Sequence, residues 1–195
     1  MAEQPTSARG VATYQRILEV ATAEFALHGI AGARVDRIVA AARTNKAQLY
    51  TYFGNKDQLF DTIFLESLER ITNVVPIDAG DLADWATRLY DEYLRRPDLI
   101  RLATWMRLER RPVGHLVDVH TQYDDHKLRV IAEAQAAGRV VAGDPFDVMT
   151  MVIAISMAWS PVSNVYAATA DESPATHQQR RDLIRLCVER AISVP

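Results

Sequence analysis

Arg34-Val35-Asp36-Arg37-Ile38-Val39-Ala40-Ala41-Ala42-Arg43-Thr44-Asn45-Lys46-Ala47-Gln48-Leu49-Tyr50-Thr51-Tyr52-Phe53-Gly54-Asn55-Lys56 is the stretch on which the fold turns. Val35, Ile38, Val39 and Ala42 repeat at helical spacing, and so do Leu49 and Phe53. The spacing predicts two short helices, 35–42 and 46–53, joined by the turn Arg43-Thr44-Asn45 and closed by Gly54. Upstream, Tyr14, Ile17, Leu18, Ala21 and Phe25 mark an amphipathic helix over 11–28 that braces the pair. Three helices so arranged form a helix-turn-helix, whose second helix enters the DNA major groove. With Leu49 and Phe53 turned inward, Lys46, Gln48, Tyr50, Thr51 and Tyr52 are left to face outward.

Working outward, Asn55 and Gln58 cap a long fourth helix whose buried face is Leu59, Phe60, Ile63, Phe64, Leu68 and Ile71. Further helices are predicted over 81–96, 98–111, 113–137, 145–168 with a kink at Pro161, and from 177 to about 192. The expected architecture is all-α: a three-helix head over residues 1–55 and a larger helical bundle over 56–195, about nine helices in total.

Charge agrees with that division. The 195 residues carry a net −3, yet the segment through Lys56 has seven basic residues against four acids, so a head of about +3 sits on a body of about −6. A polyanion is therefore expected at the head. The lone Cys187 excludes an internal disulfide framework, and no zinc spacing occurs. The polar opening residues and the short apolar run over 148–159 predict a cytoplasmic protein without a membrane span. No nucleophile elbow, phosphate loop, HExxH or dinucleotide fingerprint is present, so the chain reads as a non-enzyme without a cofactor. His115, Asp118, His120, Asp124, Asp125 and His126 lack convergent ligands, and no metal site is assigned.

Leu49-Tyr50-Thr51-Tyr52-Phe53-Gly54-Asn55-Lys56-Asp57-Gln58-Leu59 resembles the L-Y-x-[HY]-F-x-x-K-x-x-L signature of the TetR/AcrR transcriptional regulators. Ile17 to Ala21, Phe25, Gly29, Val35, Ile38, Ala41 and Ala42 fall where that family has its head core, so the likeness spans about Tyr14 to Phe64. Two residues depart from it: Arg43 stands where the family commonly has Gly, and Arg34 where it has a Ser or Thr cap. Arg43 must take a left-handed backbone or alter the turn, and both arginines add positive charge beside the groove.

The resemblance implies a repressor that binds a pseudo-palindromic operator as a homodimer and is released by a small-molecule effector. The competing reading is a helical ligand-binding or scaffold protein whose head no longer binds DNA. Under the first reading, Tyr50, Tyr52 and Lys56 grip phosphates and Thr44, Lys46 and Gln48 lie nearest the bases, with Arg34, Arg43, Asn45 and Thr51 completing the DNA-facing set. The family also implies a body pocket for an apolar or aromatic compound. Trp85, Trp105, Met106, His120, Tyr123, Met149 and Trp159 are the candidate lining. Helices eight and nine are apolar on most sides, and Met149, Val152, Ile153, Ser156, Met157, Leu183, Ile184 and Cys187 are the candidates for the self-association face. Cys187, on an apolar helical stripe, is expected to pack rather than to react.

Overall fold

A computed structural model describes residues 5–78, 80–111, 113–116, 122–192 and 194, with side chains of 122–125 left out. Among the described residues the regular elements are nine helices: α1 (Ala8–Gly32), α2 (Val35–Ala41), α3 (Lys46–Phe53), α4 (Lys56–Val74), α5 (Leu82–Arg95), α6 (Pro97–Glu109), α7 (Gln122–Ala136), α8 (Pro145–Ser156) and α9 (Pro174–Ile192). They fall into two compact units, one formed by Met1–Leu68 with Arg101–Leu116, the other by Glu69–Ile100 with Val117–Pro195. No described helix is long and apolar enough to cross a membrane.

In the first unit, Ser7 caps α1 by accepting the Gly10 N–H at 3.2 Å, three residues ahead of the predicted start. Tyr14, Ile17, Leu18, Ala21 and Phe25 are buried as the stripe predicts. Gly29 interrupts the helix at φ 73°, and a further turn reaches Gly32. A side chain at 29 would meet Glu109 at 2.5 Å and Trp105 at 2.9 Å, so glycine is required there for space as well as for φ. The core is closed by Ile38, Leu49, Phe53, Leu59, Phe60, Ile63 and Phe64, each contributing about 1.5–3 kcal/mol of transfer free energy. Phe60 meets Phe25 edge-on with ring centroids 5.2 Å apart.

The last turns of α6 belong to this unit. Trp105 Nε1 donates to the Ala26 carbonyl at 3.3 Å. The two Glu109 oxygens accept the N–H groups of Ile30 and Ala31, at 2.9 and 2.7 Å, directly after the Gly29 break. Arg110 pairs with Asp57 at 2.7 Å and with Asp61, its guanidinium 4.9 Å from the Phe60 ring centroid.

In the second unit, α5 packs on α9 and α8, and α8 on α7. Trp85, Leu89, Tyr90 and Tyr93 from α5 are buried with Ile131, Val148, Met149, Val152, Ile184 and Val188. Tyr93 lies so deep that burial pushes its phenol up to about 12. Asp144 caps α8 with Pro145 in the first turn, as the sequence predicts.

Two expected helices are shorter than their patterns suggest. Over 113–116 the chain is bent, Gly114 at φ 73° breaks the helix, and α7 begins at Gln122. The Arg107 guanidinium takes up the Arg111 and Gly114 carbonyls at 2.9 and 2.6 Å. Residues 117–121, including Asp118 and His120, lie outside the described residues. Likewise α8 stops at Ser156 rather than continuing to 168. Pro161 has no N–H for the helix and disfavours helical geometry at Ser160, while the Ser156 hydroxyl bonds back to the Ile153 carbonyl at 2.6 Å. Trp159 thus sits in a turned segment, closed by the Ala168 N–H on the Trp159 carbonyl at 3.0 Å.

Candidate nucleic-acid interface

The turn between α2 and α3 forms around a strained residue. Arg43 has φ 52°, the left-handed alternative that the sequence allows. Its N–H reaches the Ala40 carbonyl at 3.2 Å, and the Thr44 N–H reaches Val39 at 3.0 Å, so the last α2 carbonyls are satisfied as they are in glycine-ended helices. For a non-glycine residue the left-handed backbone costs roughly 1–2 kcal/mol. Arg16 also donates from Nε to the Ala42 carbonyl at 3.3 Å, tying α1 to the turn.

Asn45 then caps α3, its side-chain oxygen accepting the Gln48 N–H at 2.9 Å. Leu49 and Phe53 are buried, which turns Lys46, Tyr50 and Thr51 outward, Tyr50 being 42% exposed. Thr51 bonds its own helix through the Ala47 carbonyl at 2.9 Å. Gln48 is held at both ends: Thr44 Oγ1 donates to its carbonyl at 2.7 Å and its amide donates to the Tyr52 hydroxyl at 3.1 Å. The Tyr52 ring leans edge-on against Tyr14, 5.9 Å away, so Tyr52 is partly a packing residue. Tyr14 itself, pushed up by burial and then by the nearby Glu66 carboxylate, stays a neutral phenol.

The cations divide into engaged and open groups. Lys56 Nζ bonds the Ala31 and Ala33 carbonyls, each at 3.2 Å, at the negative end of α1. Lys46 Nζ lies 2.7 Å from Asp36 Oδ1, which raises its pKa by that hydrogen bond and the adjacent charge. Arg37 pairs with Glu24, which also accepts the Arg34 N–H at 2.9 Å and lies 3.8 Å from His28 Nε2. Burial alone raises the Glu24 pKa, but the Arg37 and Arg34 hydrogen bonds outweigh it and hold the carboxyl below its ordinary value. Arg34 starts α2 without a side-chain cap, and among the described residues the Arg34 and Arg43 guanidiniums have no partner. Arg34, Arg43, Asn45, Lys46, Tyr50 and Thr51 therefore form the exposed part of this face, whereas Thr44, Gln48, Tyr52 and Lys56 are half-buried.

Sequence patterning did not single out Asp36, Glu24 or Glu109 for any role. Asp36 and Glu24 lie on polar helix faces that carry no periodic signal, and Glu109 acts across 79 residues of chain.

Of the expected pocket residues, Trp105 and Met106 belong to the first unit, and Trp85, Met149 and Trp159 to the second. Trp85 bonds the Val75 carbonyl through Nε1 at 3.2 Å, and Trp159 meets Tyr90 edge-on at 6.2 Å. His120 and the Tyr123 side chain lie outside the described residues. A cavity of about 230 Å³ in the second unit is lined by residues including Asp81, Leu82, Arg139, Val140, Val188 and Ile192. Of the self-association candidates, Met149, Val152, Ser156 and Ile184 are buried within the unit's own core. Ile153 and Met157 are half-buried, and Leu183 and Cys187 are exposed beside Leu186, with Met151 exposed on α8. Cys187 thus faces out, not into the unit's core, because Ile184 and Val188 take the inward positions of that stripe. Among the described residues no cluster of metal-ligating side chains occurs.

Two short helices set at a tight turn, braced by a third and presenting cations and tyrosines, define a helix-turn-helix DNA-binding regulator. Residues 17–63 match the family model for bacterial regulatory proteins of the tetR family, and residues 81–190 match that for the tetracyclin repressor-like C-terminal domain. The chain belongs to the TetR family of transcriptional regulators. It is 35% identical over 153 residues to the HTH-type transcriptional repressor SCO4008 of Streptomyces coelicolor, covering 77% of this chain and 79% of that protein. It is 27% identical over 97 residues to the HTH-type transcriptional repressor NicS of Pseudomonas putida, 46% of each chain. Among solved structures, SCO4942 of Streptomyces coelicolor, described as a transcriptional regulator, superposes with a TM-score of 0.76 at 35% identity, covering 94% of this chain and 99% of that one.

Proposed function

We propose that the chain is a cytoplasmic repressor that binds a pseudo-palindromic operator as a homodimer and leaves it when a small apolar or aromatic effector binds. The division of labour is a DNA-binding head over residues 1–55 and an effector-binding and dimerising body over 56–195. The observation that carries the reading is the outward face of α3, with Lys46 and Tyr50, together with the Arg34 and Arg43 guanidiniums, which have no partner among the described residues. Those cations meet phosphates, which fix orientation, while the start of α3 meets base edges. The exposed apolar side chains Met151, Leu183, Leu186 and Cys187 support self-association.

Two heads engage one DNA face only when their reading helices stand about 34–36 Å apart, so an effector acts by favouring a body shape with another separation. To move occupancy from 1:99 to 99:1 it must favour that shape by about 5.5 kcal/mol. The test is anisotropy of labelled duplex selected from random sequence, against a scrambled control. A preference of about a thousandfold or more, falling steeply with salt, is expected. Equal binding of both duplexes would favour the scaffold reading and reject the regulator.

A further inference from the structure

The acid that holds the first residue of the reading helix has a use beyond neutralising it. Lys46 opens α3, the part of a reading helix that contacts base edges, and Asp36 reaches it from the first turn of α2. The two side chains are 52% and 76% exposed, so the pair stands in solvent with both groups open to a further partner. An ammonium has three donors and no acceptor, and a carboxylate only acceptors, so their mutual bond leaves each with unused capacity of opposite kind. Together they present a donor and an acceptor 2.7 Å apart.

In the major groove a G·C pair offers the complement. Guanine O6 accepts, cytosine N4 donates, and the two are joined by an N–H···O bond of about 2.9 Å. A·T reverses the order, with a donor on adenine N6 and an acceptor on thymine O4, while T·A keeps it but sets the thymine C5-methyl where guanine offers N7 to the same ammonium. Gln48, the other base-reading candidate, has its amide committed to Thr44 and Tyr52, so its orientation is fixed within the head.

We propose that Asp36 is a specificity-determining residue that acts with Lys46 as one reading unit for a G·C base pair in each operator half-site. Lys46 donates to guanine O6 while Asp36 accepts from the cytosine amino group, and their mutual contact sets the spacing. A carboxylate at the groove carries the same sign of charge as phosphate, so its place there is favoured where a base amino group donates to it and disfavoured where it meets an acceptor. The inference rests on the DNA-binding reading of the head.

The experiment is selection of duplexes from a random library by the full chain and by its Asp36→Ala and Lys46→Ala variants, followed by affinity titration of point-changed operators. Wild type is expected to enrich a two-fold site with G·C at one position of each half. Changing that pair to A·T should cost about 5- to 140-fold in affinity. Each variant should lower that penalty about fivefold or more at the same position and leave the preferences elsewhere intact. Those retained preferences also establish that the variant heads are folded. If the variants keep every preference of wild type, or relax positions different from one another, the pair is only a solvated ion pair and the inference is overturned. If wild type enriches nothing, the DNA-binding reading fails as well, which separates the two failures.

Discussion

Replacing Glu109 tests whether the end of α6 is part of the head's structure or only lies beside it. Its carboxylate accepts two N–H groups, Ile30 at 2.9 Å and Ala31 at 2.7 Å, where the Gly29 break leaves α1 without its regular hydrogen bonds. Hydrogen bonds to a charged group are worth about 1.5–3 kcal/mol each, and the exposure of Glu109 puts these at the lower end. Glu109→Gln keeps one acceptor and turns an NH2 donor against the second N–H, a loss of about 1.5 kcal/mol. Glu109→Ala removes both acceptors but lets water reach the Ala31 N–H, for about 2 kcal/mol. At roughly 2–4 °C per kcal/mol in a chain of this size, the Gln variant should melt about 3–6 °C lower. Scanning calorimetry measures the shift, and amide exchange locates it, because protection at Ile30 and Ala31 should fall while that of α5 and α9 stays. Melting within half a degree of wild type for both variants, with unchanged exchange at those two amides, would refute the reasoning.

Arg43→Gly should separate stability from DNA affinity. The substitution relieves the left-handed strain at φ 52°, offset by glycine's greater freedom in the unfolded chain, so the head should gain up to about 1 kcal/mol in urea titrations. Removing one guanidinium from each of two heads should make the slope of log K against log salt shallower by about 1.8 in anisotropy measurements. For Glu24→Gln, the sign follows from a folded carboxyl held below its ordinary value of 4.5. Its stabilisation is present above that value and is lost as pH falls through the lower folded one, so the melting gap to wild type should be widest near neutrality and close in acid.

What was legible in the sequence was whatever local periodicity and capping specify. The 46–53 helix is placed to the residue because Asn45, the Leu49/Phe53 pair and Gly54 all point to one register. The same logic fails over 113–137 and 145–168, where an apolar pattern continues past the point at which backbone chemistry stops the helix. Gly114 and Pro161 were visible, but a single breaker in an apolar stretch is read as a kink more readily than as an end. The outward position of Tyr50 followed from spacing, whereas the left-handed backbone of Arg43 was one of two alternatives the sequence left open. The hydrogen bonds of the Lys56 ammonium to the Ala31 and Ala33 carbonyls had no signal in the sequence, where its chain position suggests only a phosphate contact. Contacts made by charge across long stretches of chain leave no local trace, and so Asp36, Glu24 and Arg110 emerged only from the structure. Body residues suffer most, since Trp and Met suit a core and a cavity equally well.

The first unit takes its last pieces from Trp105, Glu109 and Arg110, whose partners stand 49 to 79 residues earlier. On a ribosome the three-helix head is therefore made before it can be finished. At 5–20 residues per second, roughly 2–8 s pass between synthesis of Leu68 and of Glu109. During that interval the Ile30 and Ala31 amides have only water, and the Phe60 ring lacks its guanidinium cover. A nascent chain halted before α6 would hold a helix-turn-helix short of its final stability, which delays firm grip on DNA until much of the remaining protein has been made.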